Sequence, residues 1–225
     1  MTIKPQVKFA ATILATSVCL AFSGAVLAQG APKAQGFYIY GAIGQSSVDL
    51  GKGDIDASLV SVGVTGLSSS ADETDVGYKI FGGYMFNKYL ALEAGWVDLG
   101  KFAYTASFTG PVAGAAKAEI KASGFTIAAV GTLPVTDSFG LFVKAGTIDA
   151  KLSASGVATG SGTTWSGSDS DTSWKGNFGI GATYSFNPNL AVRAEWERFR
   201  KLGDKNTTGE GDVDLLSVGL RYTFN

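Results

Sequence analysis

Towards the C-terminal end of the chain, Leu216, Val218, Leu220, Tyr222 and Phe224 alternate with Ser217, Gly219, Arg221 and Thr223. Strict period-two alternation marks a strand with two unlike faces. The same rhythm places eight strands, at residues 36–46, 76–86, 90–99, 119–133, 139–148, 173–186, 190–200 and 214–224. Three of the links are tight turns, at Asn87-Lys88, residues 134–138 and Asn187-Pro188-Asn189, whose residue types favour chain reversal. The other four links are long and rich in Gly, Ser, Thr and Asp. The two kinds alternate along the chain, so in an up-and-down arrangement every long link emerges at one rim. A soluble sandwich has no reason to sort its connections this way.

Short turns at one end and long loops at the other describe a membrane-spanning barrel, whose strands turn an apolar face to lipid and a polar face to the lumen. The expected fold is therefore all-β, an eight-stranded antiparallel up-and-down transmembrane β-barrel. An internal repeat supports the register. Tyr84, Phe86, Asn87, Leu90, Leu92, Ala94 and Trp96 recur as Tyr184, Phe186, Asn187, Leu190, Val192, Ala194 and Trp196. Duplication and convergence on one hairpin chemistry both explain it, and both give the same faces. Apart from Asn87 and Asn187 in the turns, these residues point to lipid. The aromatics near the short turns, joined by Phe139, Tyr222 and Phe224, form a periplasmic girdle, and Trp96, Trp174 and Trp196 stand further up.

Composition narrows the picture. The 225-residue chain is 45% hydrophobic and 16% charged, too apolar for a disordered segment. A net charge of −1 leaves no basic footprint for nucleic acid. There is no histidine, which removes the commonest general base and metal ligand. Lys4 and Lys8 precede an apolar run from Phe9 to Phe22, and Val26-Leu27-Ala28 supplies the small residues of a cleavage site. Residues 1–28 are thus expected to be a signal peptide and 29–225 the barrel. The run is short for an anchor, which needs about 20 apolar residues. Cys19 lies within the leader, so the mature chain is expected to carry neither a disulfide nor a thiol.

The hairpin from Tyr78 to Asn87 running into Leu90, with Trp96-Val97-Asp98-Leu99-Gly100 at its end, resembles the outer-membrane protein A-like β-barrels, a family of small porin-like and surface-antigen proteins. The likeness extends over nearly all of the mature chain and implies residence in the bacterial outer membrane. Ser217, Gly219, Tyr222 and Phe224 resemble the C-terminal signal read by the barrel-assembly machinery. The terminal Asn225 departs from the phenylalanine usual in the family. The periplasmic peptidoglycan-binding domain of longer relatives is expected to be absent.

Parity turns Lys79, Glu93, Lys144, Lys175, Arg193, Glu195, Glu197 and Arg221 inward. The third and seventh strands face each other across a ring of eight, and Glu93 and Arg193 occupy equivalent repeat positions. The interior of such a barrel is just filled by side chains, so the two can meet. The resemblance implies that this pair is an internal barrier able to rearrange, with Lys79, Lys144 and Glu195 as alternative partners, and Arg221 is counted in the same lumen network. A static network that satisfies buried charges is the other reading.

Elsewhere the chemistry is sparse. Ser166, Ser168 and Ser170 fall in a Gly/Ser/Thr stretch that reads as a solvated loop. Gly51-Lys52-Gly53 lacks the context of a phosphate loop. The first long link is acidic, with Asp49, Asp54, Asp56, Asp72, Glu73 and Asp75, but matches no calcium-loop spacing and reads as a solvated rim. The glycosylation sequon at Asn206 has no weight in a bacterial chain. The sequence therefore points to a non-enzymatic barrel, without cofactor or metal, that displays loops for interaction or adhesion. The alternative is a narrow channel for ions or small solutes gated by Glu93 and Arg193. Expected partners are outer-membrane lipid and lipopolysaccharide, the assembly machinery and a surface ligand of the loops.

Overall fold

The computed structural model describes residues 35–204 and 209–224. The expected leader at 1–28 with Cys19, the sequon at Asn206 and the terminal Asn225 lie outside the described residues. The chain order is β1 (Gly36–Val48), α1 (Lys52–Ser61), β2 (Ser68–Asp72), β3 (Thr74–Met85), β4 (Leu90–Phe108), β5 (Gly114–Pro134), β6 (Phe139–Gly160), β7 (Thr163–Ser185), β8 (Leu190–Asp204) and β9 (Gly209–Thr223). Eight strands close a ring in sequence order, because β1 pairs antiparallel with both β3 and β9, and each later strand pairs with the next. The ninth, β2, lies outside the ring against the far part of β4.

Local chemistry sets the short turns. In the repeat hairpins Asn87 Oδ1 accepts the backbone N–H of Leu90 at 2.9 Å and Asn187 Oδ1 that of Leu190 at 2.8 Å. Thr136 Oγ1 does the same for Phe139 at 3.0 Å. These side-chain acceptors satisfy the turn backbone where the ladder ends, so register is fixed from one rim.

The faces follow the inverted polarity of a membrane barrel. Phe37, Ile39, Ile43, Ile80, Leu92, Trp96, Val143, Ile180, Leu216, Val218 and Leu220 are exposed on the outside, whereas Lys79, Glu93, Lys144, Arg193 and Glu195 are buried inside. A soluble fold would reverse both sets, since exposed apolar area of this extent is tolerated only against lipid. Phe86 and Tyr84, Phe186 and Tyr184, and Phe224 and Tyr222 make edge-to-face pairs at 5.3–5.4 Å near the short turns. The interior has two layers. Near the short turns it is ionic and aromatic. Above that, Val97, Leu99, Phe102, Ile148, Leu152, Phe199, Leu202, Val213 and Leu215 pack into an apolar plug.

The long links differ from expectation. The ladder of β5 with β6 runs from Gly114 opposite Gly160 to Pro134 opposite Gly140, and that of β6 with β7 begins at Thr163. The stretch holding Ser166, Ser168 and Ser170 is therefore strand rather than loop. Strands of 21, 22 and 23 residues far exceed the 9–11 that cross a bilayer. Beyond the membrane neither face must be apolar, so these extensions carry Ser, Thr, Ala and Gly and escape a hydrophobic-pattern reading. The first long link also holds unexpected structure, α1 and β2.

Candidate functional site

The ionic layer is built by parity from five strands. Lys79 comes from β3, Glu93 from β4, Lys144 from β6, Asn177 from β7, and Arg193, Glu195 and Glu197 from β8. Small residues make room for the larger ones. Any side chain at Gly83 would collide with the Tyr38 ring, the nearest ring atom lying 2.2 Å from a Cβ built there. Gly181 gives way in the same manner to Phe142.

Glu93 and Arg193 meet across the lumen, Nη1 of Arg193 donating to Oε1 of Glu93. Arg193 Nη2 also lies 3.0 Å from Glu195 Oε2. Tyr38 donates its hydroxyl to Glu93 Oε1 at 2.7 Å. Lys79 Nζ lies between Glu195, at 3.2 Å, and Glu197, at 3.0 Å. Lys144 Nζ stands at 3.2–3.5 Å from Glu93, Glu195 and Glu197. Asn177 Nδ2 donates to Glu197 Oε1 at 2.6 Å. Aromatic faces close the remaining sides. Lys144 Nζ lies 4.2 Å from the Phe81 ring centre and the Arg193 guanidinium 4.0 Å from that of Phe142. No charge in this belt therefore depends on a single partner.

Two of the inward cations stand apart. Arg221 faces the lumen but joins no ion pair among the described residues, which corrects its assignment to the network. It lies nearer the short turns than Arg193, and the Glu93 carboxylate is engaged by Arg193, Tyr38 and Lys144. Lys175 sits opposite Ile148 of the apolar plug, above the belt, and is likewise without an ion pair among the described residues. Sequence reasoning placed Glu197 inward without seeing it as the acceptor for both lysines, and missed Asn177 and Tyr38 entirely. Their signal was only parity, which an amide or phenol shares with any lumen filler.

At the C-terminal strand Ser217 is buried in the lumen, opposite Glu195, while Tyr222 and Phe224 are exposed on the outer face. Gly219 lies against Ala42 and Arg193. Carboxylates of the acidic first link are turned to separate backbone donors. Asp49 accepts the Gly51 N–H, Glu73 the Leu50 N–H and Asp75 the Lys101 N–H. Among the described residues no cluster of three or more metal-ligating side chains forms. Asp56 on α1 is instead a structural acceptor, for Lys52 at 2.6 Å, Tyr104 at 2.5 Å and Ser69 at 2.7 Å. The bond from Lys52, then those from Tyr104 and Ser69, hold its carboxyl at about 2.

A closed antiparallel barrel with short turns at one rim, a lipid-facing apolar band and buried charges inside defines a transmembrane β-barrel of the outer-membrane class. The particular family follows from the sequence. The chain belongs to the OmpA-like transmembrane domain family, whose profile matches residues 32–225. It is accordingly an integral protein of the bacterial outer membrane. Outer membrane protein A of Salmonella typhi is 29% identical, over 93% of this chain and 55% of that protein. Outer membrane protein A of Yersinia pseudotuberculosis is 30% identical, over 95% of this chain and 55% of that protein. The chain thus spans about half the length of these relatives. Among solved structures, Neisserial surface protein A aligns with a TM-score of 0.47 and 14% identity, covering 85% of this chain and 99% of that one. The attachment invasion locus protein Ail of Yersinia pestis aligns with a TM-score of 0.46 and 16% identity, covering 84% of this chain and 99% of that one.

Proposed function

We propose that the protein is a sealed, non-enzymatic outer-membrane scaffold that holds a rigid β-structure at the cell surface for interaction or adhesion. The observation that carries this reading is the apolar plug. A rearranging Glu93–Arg193 pair would free only the ionic layer. Above it, Leu99, Phe102, Ile148, Phe199, Leu202 and Leu215 are each at most 2% exposed and span the same lumen. An apolar constriction excludes water and hence ions, so opening the pair alone leaves the path shut. The absence of histidine argues in the same direction against hydrolysis.

The surface structure itself supports the display role. Residues 163–176 of β7 pair with β6 on one side, while β8 pairs only with Asn177–Ser185. Trp165 and Trp174 stand exposed in this segment. Strand edges are ready templates for a partner. Outer-membrane lipid, lipopolysaccharide and the assembly machinery are the remaining partners in this reading, the last through Ser217, Gly219, Tyr222 and Phe224.

Planar-bilayer recording of the refolded protein tests the seal. Wild type should give no unitary conductance, and steady single-channel steps would refute the scaffold reading. Replacing residues 154–169 by a short turn, at the ladder pair Ala154 and Asp169, should keep the barrel folded and abolish adherence of the cells. Unchanged adherence would refute the display role.

A further inference from the structure

The lumen charges do not balance. Below the apolar plug, among the described residues, Lys79, Lys144, Arg193 and Arg221 face Glu93, Glu195 and Glu197, which leaves one positive charge over, Lys175 standing apart beside the plug. The unmatched group is Arg221. It pairs in the ladder with Tyr40 and Ala191, one step nearer the short turns than Arg193. Its guanidinium lies 5.6 Å from the Tyr38 ring centre, and its Nε is buried without a hydrogen-bond partner. The Nε of Arg193 is in the same state. Beside them, at the short-turn mouth, is a cavity of about 230 Å³, with Arg193, Arg221, Tyr38, Thr183, Ser185 and Lys88 in its wall. Asp137, on an exposed turn, is the one carboxylate in that wall among the described residues.

We propose that this vestibule binds a small oxyanion of the phosphate or carboxylate class from the periplasmic side, with Arg221 as the residue that takes it. Arg221 is half-buried, and a charge so placed without a partner pays part of a desolvation penalty that a counter-ion recovers. A guanidinium offers parallel N–H groups that match two oxygens of one oxyanion, a geometry an ammonium lacks. At roughly 30 Å³ of liquid volume per water, the cavity has room for such an ion with part of its hydration shell. One bound monovalent anion also neutralises the ionic layer below the plug. The site lies below the Glu93–Arg193 contact, so it does not require the barrel to conduct.

The test uses the refolded barrel in an uncharged sugar detergent, because a phosphocholine head group would compete. Urea unfolding is followed by tryptophan fluorescence in inorganic phosphate, acetate or chloride at matched ionic strength and neutral pH. Phosphate should lower the unfolding constant saturably relative to chloride, by about tenfold at ten times its Kd, and should broaden its own phosphorus NMR line. Arg221→Met should abolish both effects while folding at least as well in chloride, since it removes an unpaired, half-buried charge. Arg221→Lys keeps the charge without the fork and should retain only a weak response. Acetate matching phosphate assigns the site to carboxylates as well, whereas a response to phosphate alone assigns it to phosphate. Equal shifts in chloride and phosphate, or an undiminished phosphate shift in either variant, would overturn the proposal.

Discussion

Replacement of Glu93 by Gln probes the lumen most sharply, because the structure sets not only the size of the loss but its asymmetry with the loss at Arg193. Glu93 receives Arg193 and Tyr38 and lies 3.5 Å from Lys144. Breaking a buried pair typically costs about 3–5 kcal/mol, because the orphaned charge keeps its desolvation penalty. Here Arg193 retains Glu195 at 3.0 Å, and Lys144 retains Glu195 and Glu197. Part of the loss is therefore recovered, and about 2–3 kcal/mol is expected. Glu93→Gln nevertheless leaves four cations facing two carboxylates. Arg193→Met leaves three facing three, so it should cost less, about 1–2 kcal/mol. The double variant restores the wild-type imbalance of one and should be less harmed than the sum of the singles by about 1–2 kcal/mol. The assay is a double-mutant cycle on urea unfolding, with bilayer recording of all four proteins. Additive losses, or an Arg193→Met cost that exceeds that of Glu93→Gln, would refute the charge reasoning. A conductance in any variant would refute the argument that the plug holds the lumen shut.

Two further predictions concern the ends of the barrel. The Asp56 carboxyl is held near 2, below its ordinary value, so its bonds favour the docked α1 at any pH above about 4. That contribution fades as pH falls from about 4 to 2, and the protection factors of the α1 amides, taken against their intrinsic exchange rates, should fall there while the barrel strands stay protected. Asp56→Asn should give fast exchange already at neutral pH, and unchanged protection in both cases would refute the link. At the other end, Tyr222→Ala combined with Phe224→Ala should slow insertion by the assembly machinery several-fold in cells, with little effect on refolding into detergent. Equal slowing in both settings would mark these rings as packing residues and not as a signal.

The amino-acid pattern alone determined the barrel where the membrane enforces it. Between about Leu90 and Leu99, or Leu216 and Phe224, one face must be apolar and the other polar, so alternation states both strand and register. The turn chemistry of Asn87 and Asn187 is local, and local chemistry is legible. The pairing of Glu93 with Arg193 was also within reach, because ring geometry and the repeat put the two at one height. Above the bilayer that constraint ends. The outer parts of β5, β6 and β7 have no obligatory apolar face, and only cross-strand hydrogen bonds to distant residues make them strands. The same is true of the lumen. Parity turns Leu99, Phe199 and Leu215 inward no differently from Glu93 and Arg193, while Phe102 joins them only because a bulge between Asp98 and Lys101 shifts the alternation. Only the assembled ring stacks the apolar set above the charged one and leaves Arg221 below, without an ion pair among the described residues. Which charges pair, and whether the lumen is open, depends on height and azimuth around the closed ring. Those coordinates belong to eight strands together, and no single strand encodes them.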